Sequence, residues 1–179
     1  MKLYLMRHGE TDWNKLDKIQ GKVDIELNEV GKEQARNAIE EIKKLNISRI
    51  ICSPLTRAKQ TAAIINEELK VNISYDKLIQ ERNFGILEGY RKKDFPWAQI
   101  WEYKTNIQYP EAEDIHTFYK RVEKFVENIK EEGREEENIL VVAHGGVCIP
   151  LIAYTKEGGI ELDDPLKYIP NNCQIVKLL

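Results

Sequence analysis

The chain opens with Lys2-Leu3-Tyr4-Leu5-Met6-Arg7-His8-Gly9, an apolar run that stops at a cation, an imidazole and a glycine. A strand that ends in this way carries reactive side chains to one edge of a sheet. A second apolar run, Ile139-Leu140-Val141-Val142-Ala143, leads in the same way into His144-Gly145-Gly146. The chain has only 3 histidines. Because two of them follow strands of buried character, we expect both to serve one site.

Length and composition indicate a globular protein with one domain over 1–179. The 179 residues are 42% hydrophobic and 32% charged, which is enough apolar material for a sizeable core. The formal net charge of −3 predicts no nucleic-acid partner, so a small anionic substrate needs a local basic pocket. No apolar stretch has membrane-spanning length, and the 3 cysteines have neither disulfide nor zinc spacing. We therefore expect a cytoplasmic protein that contacts no membrane.

Three segments follow one plan, in which an apolar strand, a small polar turn and a helix come in succession. Their strands are predicted at 2–6, 49–52 and 139–143, and their helices at 28–45, from Ser53-Pro54 to about 69, and from 147 to 154. Serine as N-cap with proline in the first turn sets the start of the second helix. Further elements are predicted as strands at 73–79 and 174–178 and as a helix at 115–129. Continuous apolar strands that alternate with helices predict a three-layer α/β sandwich, with a mostly parallel central sheet and helices on both faces.

Open parallel sheets bind ligands outside the carboxyl ends of their strands. At that edge we expect three loops to meet, which carry Arg7 with His8, Ser53 to Arg57, and His144. Two arginines and two histidines suit a phosphoryl group, because guanidinium groups offer planar forks of donors and helix N-termini add backbone N–H groups. Such crowding of cations is unfavourable unless an anion neutralises it. The sequence therefore predicts a phosphate-binding crevice.

The motifs resemble those of a known family over nearly the whole chain. Arg7-His8-Gly9-Glu10-Thr11 resembles the signature of the histidine phosphatase superfamily, in its phosphoglycerate mutase-like branch. Ser53-Pro54-Leu55-Thr56-Arg57-Ala58 resembles the family's second motif, and His144-Gly145-Gly146 resembles its second histidine motif. Further similar positions are Trp13-Asn14, Gln20-Gly21, Leu27, Gly31, Glu33-Gln34-Ala35, Gln60-Thr61-Ala62, Glu81, Gly85 and Glu88-Gly89.

The resemblance implies a role for each residue of the site. His8 is similar to the nucleophile that takes the phosphoryl group on a ring nitrogen, and Glu81 is similar to the family's proton donor. The phosphate-binding residues that the resemblance implies are Arg7, Asn14, Gln20, Gly21, Arg57, His144 and Gly145, of which Arg7, Arg57 and His144 also take part in catalysis. Histidine is largely neutral at cytoplasmic pH, as a nucleophile must be. Without the resemblance, Glu88 is an alternative candidate for the proton donor, and the sequence does not separate it from Glu81.

We therefore expect an enzyme, a phosphatase without metal or cofactor that hydrolyses a small cytoplasmic phosphomonoester through a phosphohistidine on His8. Arginines in the site can stabilise the charge that a metal would otherwise neutralise. A cofactor-dependent phosphoglycerate mutase is the alternative, since it shares the first half-reaction. The family's mutases are generally longer, with insertions that close over the site, and this favours the phosphatase. Among phosphatases, the resemblance extends to those acting on α-ribazole phosphate and on sugar phosphates. A catalytically silent phosphate sensor is the third alternative, and the presence of every predicted catalytic residue argues against it.

The segment 84–110 is aromatic, charged and irregular, and it predicts a short lid insertion. Its aromatic residues either roof the site or pack as a satellite core, and both interpretations stay open for Trp97, Trp101, Tyr103 and Tyr90 with its neighbour Arg91. Farther along the chain, Asp114 is a candidate cap for the helix at 115–129, and His116 on that helix is predicted to be an exposed bystander.

Overall fold

Five strands form one sheet in the computed structural model, which describes residues 1–157 and 164–179. They are β1 (Lys2–Arg7), β2 (Arg49–Cys52), β3 (Asn72–Tyr75), β4 (Asn138–Ala143) and β5 (Ile175–Lys177). Their order across the sheet is β3-β2-β4-β1-β5, and every neighbouring pair is parallel except β1 with β5. The register of β1 and β4 pairs Arg7 with Ala143. Both strands therefore end at the same edge, and the residues that follow them, His8 and His144, come together.

Helices cover both faces of the sheet. They are α1 (Asp12–Lys15), α2 (Glu29–Lys43), α3 (Thr56–Leu69), α4 (Trp97–Ile100), α5 (Ile115–Glu132) and α6 (Gly145–Ile152). Alternate residues of β1 divide between two cores, as successive side chains of a strand must. Leu3 and Leu5 pack in the core that contains α5 and α6, whereas Tyr4 and Met6 pack with α2 and α3. This arrangement confirms the three-layer α/β sandwich with a mostly parallel sheet.

At the starts of three helices, the local sequence predicts the capping residue correctly twice and wrongly once. Asn28 caps α2 by accepting a hydrogen bond from the Gly31 N–H at 2.8 Å, and Asp114 caps α5, both as the sequence predicts. The prediction that Ser53 is the N-cap of the next helix is wrong, because α3 begins at Thr56 with Leu55 as its N-cap. The Ser53 hydroxyl lies instead 2.7 Å from a ring nitrogen of His144.

The remaining predicted elements are shorter than expected or interrupted. The strand predicted at 73–79 ends at Tyr75, because Asp76 caps a turn of 3₁₀ helix at Lys77–Ile79. The helix predicted through 154 is α-helical to Ile152 and continues as a π-helical turn, Ala153–Glu157. The segment 84–110 consists of short 3₁₀ turns and α4. None of the helices in the described ranges combines the length and the apolar character needed to span a bilayer.

Candidate active site

A pocket opens at the carboxyl end of β1 and the start of α6. The predicted residues that line it are Arg7, His8, Asn14, Gln20, Gly21, Arg57, Glu81 and Gly145. Six further residues complete its wall, namely Phe84, Lys92, Trp97, Trp101, Gly146 and Ile169. His144 is fully buried and contacts the His8 ring rather than the cavity. The structure therefore places eight of the nine predicted site residues on the wall of the pocket and His144 against the His8 ring.

His8 is held by its backbone and its ring in a single orientation. Its N–H donates to the carbonyl of Ala143 at 2.9 Å, and its own carbonyl accepts from the Asn172 side chain at 2.7 Å. The ring nitrogen Nδ1 lies 2.7 Å from the carbonyl oxygen of Gly9. Because a carbonyl only accepts hydrogen bonds, Nδ1 carries the proton and Nε2 keeps its lone pair. The geometry thus leaves the lone pair of Nε2 at the pocket.

The pKa of His8 lies well below its ordinary value of 6.5. Burial is the largest cause, and the nearby positive charges of Arg57 and Arg7 lower it further. The pKa of His144 is also well below 6.5, for burial first and then for the charge of Arg57. The two rings lie 5.2 Å apart between centroids. Both imidazoles are therefore neutral in the folded protein near pH 7.

These lowered pKa values predict how stability depends on pH. In the unfolded chain each imidazole gains a proton as the pH falls through about 6.5, whereas the folded protein resists that protonation. We expect full stability above pH 6.5 and a fall in the free energy of unfolding below it, by up to about 1.4 kcal/mol per pH unit for each imidazole. Urea unfolding from about pH 7 to 5 measures the slope. The slope should be shallower in His8→Asn, and equal slopes in the two proteins would contradict the prediction.

Arg57 is fully buried at the start of α3 and is fixed by backbone carbonyls. Its Nη1 donates to Val23 at 2.9 Å and its Nη2 donates to Gly21 at 2.7 Å. Burial lowers the pKa of Arg57 to about 10, so the guanidinium is still charged at neutral pH. Gly21 adopts a left-handed φ of 51°, and a Cβ there would lie 1.9 Å from the Glu88 carboxylate. Glycine is thus required at the turn that presents this carbonyl to Arg57.

Two arginine donors in the site have no partner in the described part of the chain. Arg7 donates from Nη1 to the Pro170 carbonyl at 3.0 Å, but its Nε is buried and unpaired. The Nε of Arg57 is buried and unpaired as well. An unsatisfied buried N–H costs about 1–3 kcal/mol, and more when the group is charged. The two guanidinium groups at one pocket give it a positive charge that favours an anion.

Glu81 is held against the start of α6 by backbone donors. It is 8% exposed, its Oε1 accepts from the Arg82 N–H at 2.9 Å, and its Oε2 accepts from the Gly146 N–H at 3.0 Å. Glu88 lies elsewhere, since its Oε1 accepts from the N–H groups of Lys22 and Phe84 and it does not line the pocket. The geometry therefore separates two carboxylates that the residues alone could not distinguish.

Arg121 fixes the loop that carries Glu81. Its guanidinium forms a partly buried ion pair with Glu113 at 2.7 Å. The same group donates to the carbonyls of Leu78, Gln80 and Glu81 at 2.6, 2.8 and 3.0 Å. Glu113 and Arg121 are eight residues apart in the sequence and meet across the first turns of α5. This ion pair sets the position of the Glu81 backbone.

Two predicted phosphate-binding residues present amides to the pocket. The Asn14 amide oxygen accepts from the Thr11 N–H at 3.1 Å, and the Thr11 hydroxyl accepts from the Asn14 N–H at 3.1 Å, which forms a capping box on α1. The amino group of Asn14 is then the end available to a ligand. Gln20 is 8% exposed, and its Oε1 is buried without a partner among the described residues. Both side chains thus keep hydrogen-bonding capacity for a bound molecule.

Comparison with known proteins agrees with this geometry. The family model described as "Histidine phosphatase superfamily (branch 1)" matches residues 3–179. The chain belongs to the histidine phosphatase superfamily. It is 37% identical over 88% of its length to the uncharacterized phosphatase PhoE of Bacillus subtilis, and covers 79% of that protein. It is 34% identical over 81% of its length to phosphoglycerate mutase-like protein 4 of Arabidopsis thaliana, and covers 66% of that protein. The solved structure of Bacillus stearothermophilus YhfR superposes with a TM-score of 0.84 at 27% identity, over 98% of this chain and 89% of that one.

The chain is therefore a phosphatase-type enzyme. Several residues of its site could not be predicted from the sequence. Lys92 lines the pocket and forms an ion pair with Asp17 at 2.9 Å. Ile169 and Phe84 supply apolar wall, and Asn172 holds the His8 carbonyl. These residues come from separate loops, so no local pattern marks them. Within 1–157 and 164–179, no group of three or more His, Cys, Asp and Glu side chains could hold a metal ion.

Proposed function

We propose that this histidine phosphatase hydrolyses a small cytoplasmic phosphomonoester through a phosphohistidine on Nε2 of His8. The observation that carries the proposal is the 2.7 Å contact between His8 Nδ1 and the Gly9 carbonyl, which leaves Nε2 unprotonated at the pocket. The guanidinium groups of Arg7 and Arg57 at the same pocket support it, since a phosphoryl group supplies negative charge to balance them.

In the first step Nε2 of His8 attacks phosphorus, and the bond from phosphorus to the ester oxygen breaks. Protonated Glu81 gives its proton to the leaving oxygen, so the alcohol departs neutral and the carboxylate remains. Charge on the equatorial oxygens of the transition state is stabilised by Arg7 and Arg57, which are positioned before the substrate arrives. His144 does not line the pocket but is buried against the His8 ring and held by the Ser53 hydroxyl, so we infer that it supports the ring that receives the phosphoryl group.

In the second step water attacks the phosphorus of the phosphohistidine. The Glu81 carboxylate takes a proton from that water, and the bond from phosphorus to Nε2 breaks. His8 returns to its neutral form, inorganic phosphate leaves, and Glu81 is protonated for the next turnover. The two steps replace one difficult displacement by two easier ones. No step draws on a metal, because the guanidinium groups carry the positive charge that the transition state needs.

The charges of the pocket support a phosphatase over a phosphoglycerate mutase. Phosphoglycerate carries a carboxylate as well as a phosphate, and the bisphosphoglycerate that primes such a mutase carries a second phosphate. Apart from Arg7 and Arg57, Lys92 is the one cationic side chain among the residues that line the described pocket, and it is already paired with Asp17. The pocket therefore offers little positive charge to neutralise a second anionic group on the substrate. The relative named a phosphatase in Bacillus subtilis points the same way.

The proposal predicts release of inorganic phosphate without added metal. Purified protein is assayed in EDTA with 4-nitrophenyl phosphate, glycerol 3-phosphate, phosphoserine, 3-phosphoglycerate and α-ribazole phosphate, and phosphorus NMR follows the products. We expect phosphate release that EDTA does not reduce, and no interconversion of phosphoglycerates. Interconversion that depends on added bisphosphoglycerate would establish the mutase instead. Activity lost in EDTA and restored by a divalent metal would contradict the mechanism.

A further inference from the structure

The peptide unit between Gly9 and Glu10 is hydrogen-bonded at both its carbonyl and its N–H. Its carbonyl oxygen accepts the Nδ1 proton of His8 at 2.7 Å. Its N–H donates to Oε1 of Gln34, on α2, at 2.9 Å. Because a trans peptide is planar, its N–H and C=O point in opposite directions, so this unit cannot turn without breaking both bonds. Gln34 therefore holds in place the carbonyl that fixes the proton of the His8 ring.

The preceding peptide unit, between His8 and Gly9, is held by Thr61. The Thr61 side chain is fully buried on α3. Its hydroxyl oxygen accepts from the Gly9 N–H at 3.0 Å, and its hydroxyl proton is donated to the Arg57 carbonyl at 2.8 Å. The carbonyl of the same peptide unit accepts from the Asn172 side chain at 2.7 Å. Thr61 thus ties the helix that carries Arg57 to the loop that carries His8.

Two glycines allow α2 to approach this loop closely. A Cβ on Gly9 would collide with the carbonyl of Gly31, and a Cβ on Gly31 would collide with the backbone of Glu10. Gly31 and Gln34 are three residues apart on α2 and therefore share one face of the helix. The close approach of the two backbones brings the Gln34 side chain within reach of the Glu10 N–H.

We propose that Thr61 and Gln34 are positioning residues for the nucleophile His8. They hold the peptide units on either side of Gly9, so that the proton of the ring stays on Nδ1. If the Gly9 carbonyl turns away, the imidazole can adopt its other neutral tautomer, in which Nε2 carries the proton and cannot attack phosphorus. The inference rests on the proposed function, because the attack by His8 is the step that needs a lone pair on Nε2.

Two pairs of variants test the proposal by kinetics. Thr61→Val and Gln34→Met keep the approximate size of the side chain and remove the acceptor, whereas Thr61→Ser and Gln34→Glu retain an oxygen. We expect each variant without the acceptor to lose about fivefold in kcat/KM, as loss of one hydrogen bond of ordinary strength predicts. The variants that retain an oxygen should recover the rate. If they were as slow as Thr61→Val and Gln34→Met, the hydrogen bonds would not be the cause and the proposal would fall.

Thr155→Val is the matched control for Thr61→Val. The Thr155 hydroxyl donates to the carbonyl of Leu151, four residues earlier, at 2.6 Å, as the Thr61 hydroxyl does to Arg57. Thr155 does not line the described pocket, so this variant should keep the wild-type kcat/KM. In all variants the inhibition constant of inorganic phosphate should stay close to that of the wild type, because phosphate binding does not need the lone pair of Nε2.

Nitrogen NMR of protein with isotope-labelled histidines measures the tautomer without turnover. The chain has 3 histidines, and the His8 signals are those that disappear in His8→Asn. In the wild type, Nε2 should have the chemical shift of an unprotonated nitrogen and Nδ1 that of a protonated one. The two shifts should move toward each other in Thr61→Val and Gln34→Met. Wild-type shifts in a folded variant would overturn the role of the residue that it replaces, since a purely structural role changes stability and not the tautomer.

The two readouts together separate this proposal from the proposed function. Shifts that change while kcat/KM stays at the wild-type value would overturn the role of the two residues in the reaction. If the shifts change as expected but the wild type forms no phosphohistidine, the proposed function fails and the control of the His8 tautomer stands. Gln34 is only half-buried, so Gln34→Met decides the test if Thr61→Val does not fold.

Discussion

Replacement of His8 by alanine is expected to reduce turnover by roughly 10⁴-fold or more, as removal of a nucleophile does in other enzymes with covalent intermediates. The reason is geometric, because His8 alone places an unprotonated ring nitrogen at the pocket wall. His144 is buried beside it and bonded through Nε2 to Ser53, so it does not substitute. Steady-state phosphate release from the best substrate of the panel measures the loss.

The matched control is His116→Ala. His116 is an exposed histidine on α5, as predicted, and it contacts the Tyr103 carbonyl at 2.9 Å, away from the residues that line the pocket. We expect this variant to turn over at a rate close to that of the wild type. Phosphate release by a folded His8→Ala protein at the wild-type rate would refute the assignment of His8 as nucleophile.

Replacement of Glu81 by glutamine is expected to lower kcat by about 10²- to 10⁴-fold for alkyl phosphates, the range for loss of a general acid and base. The amide cannot protonate a leaving alkoxide, although its oxygen can still accept from the Gly146 N–H. With 4-nitrophenyl phosphate, whose leaving group needs no proton, the first step should be largely spared. Hydrolysis of the phosphohistidine then becomes limiting. Stopped-flow measurement should show a burst of nitrophenolate in Glu81→Gln.

Glu88→Gln is the control for the second carboxylate. Its Oε1 accepts from backbone groups of Lys22 and Phe84, outside the pocket wall. In this variant the rate should depend on the leaving group as it does in the wild type. If Glu81→Gln slowed the first step, phosphoryl transfer to His8, equally for all leaving groups, or if Glu88→Gln produced the burst, Glu81 would lose its role as proton donor.

The sheet and the meeting of the two histidines could be predicted because their signals are local. Each strand is a short apolar run, and each ends at a polar residue followed by glycine, at Gly9 and at Gly145. Parallel pairing then brings Arg7 level with Ala143, so the next residue on each strand enters the same crevice. The family resemblance added Glu81, whose place depends on a backbone N–H of Gly146 that no pattern near Glu81 reveals.

The sequence could not predict the features in which two local rules compete or in which loops that are distant along the chain meet. Ser53 before Pro54 has the pattern of a helix N-cap, yet its hydroxyl is bound by the buried imidazole of His144. Trp101 belongs to the core and also lines the pocket, because it packs on Phe118 while its Cη2 atom lies close to Gly146. The sequence offered a roof over the site and a satellite core as alternatives for the aromatic residues of 84–110. Neither alternative alone describes Trp101.

The most direct test of the account is a rapid-quench experiment with a substrate labelled in its phosphoryl group. Protein mixed with substrate is quenched in alkali within a turnover, digested, and analysed for a labelled peptide. We predict a phosphoryl group on His8 that survives alkali, is lost in acid, and accumulates further in Glu81→Gln. Phosphate production with no labelled protein at any quench time, or a label on another residue, would contradict a phosphohistidine mechanism at His8.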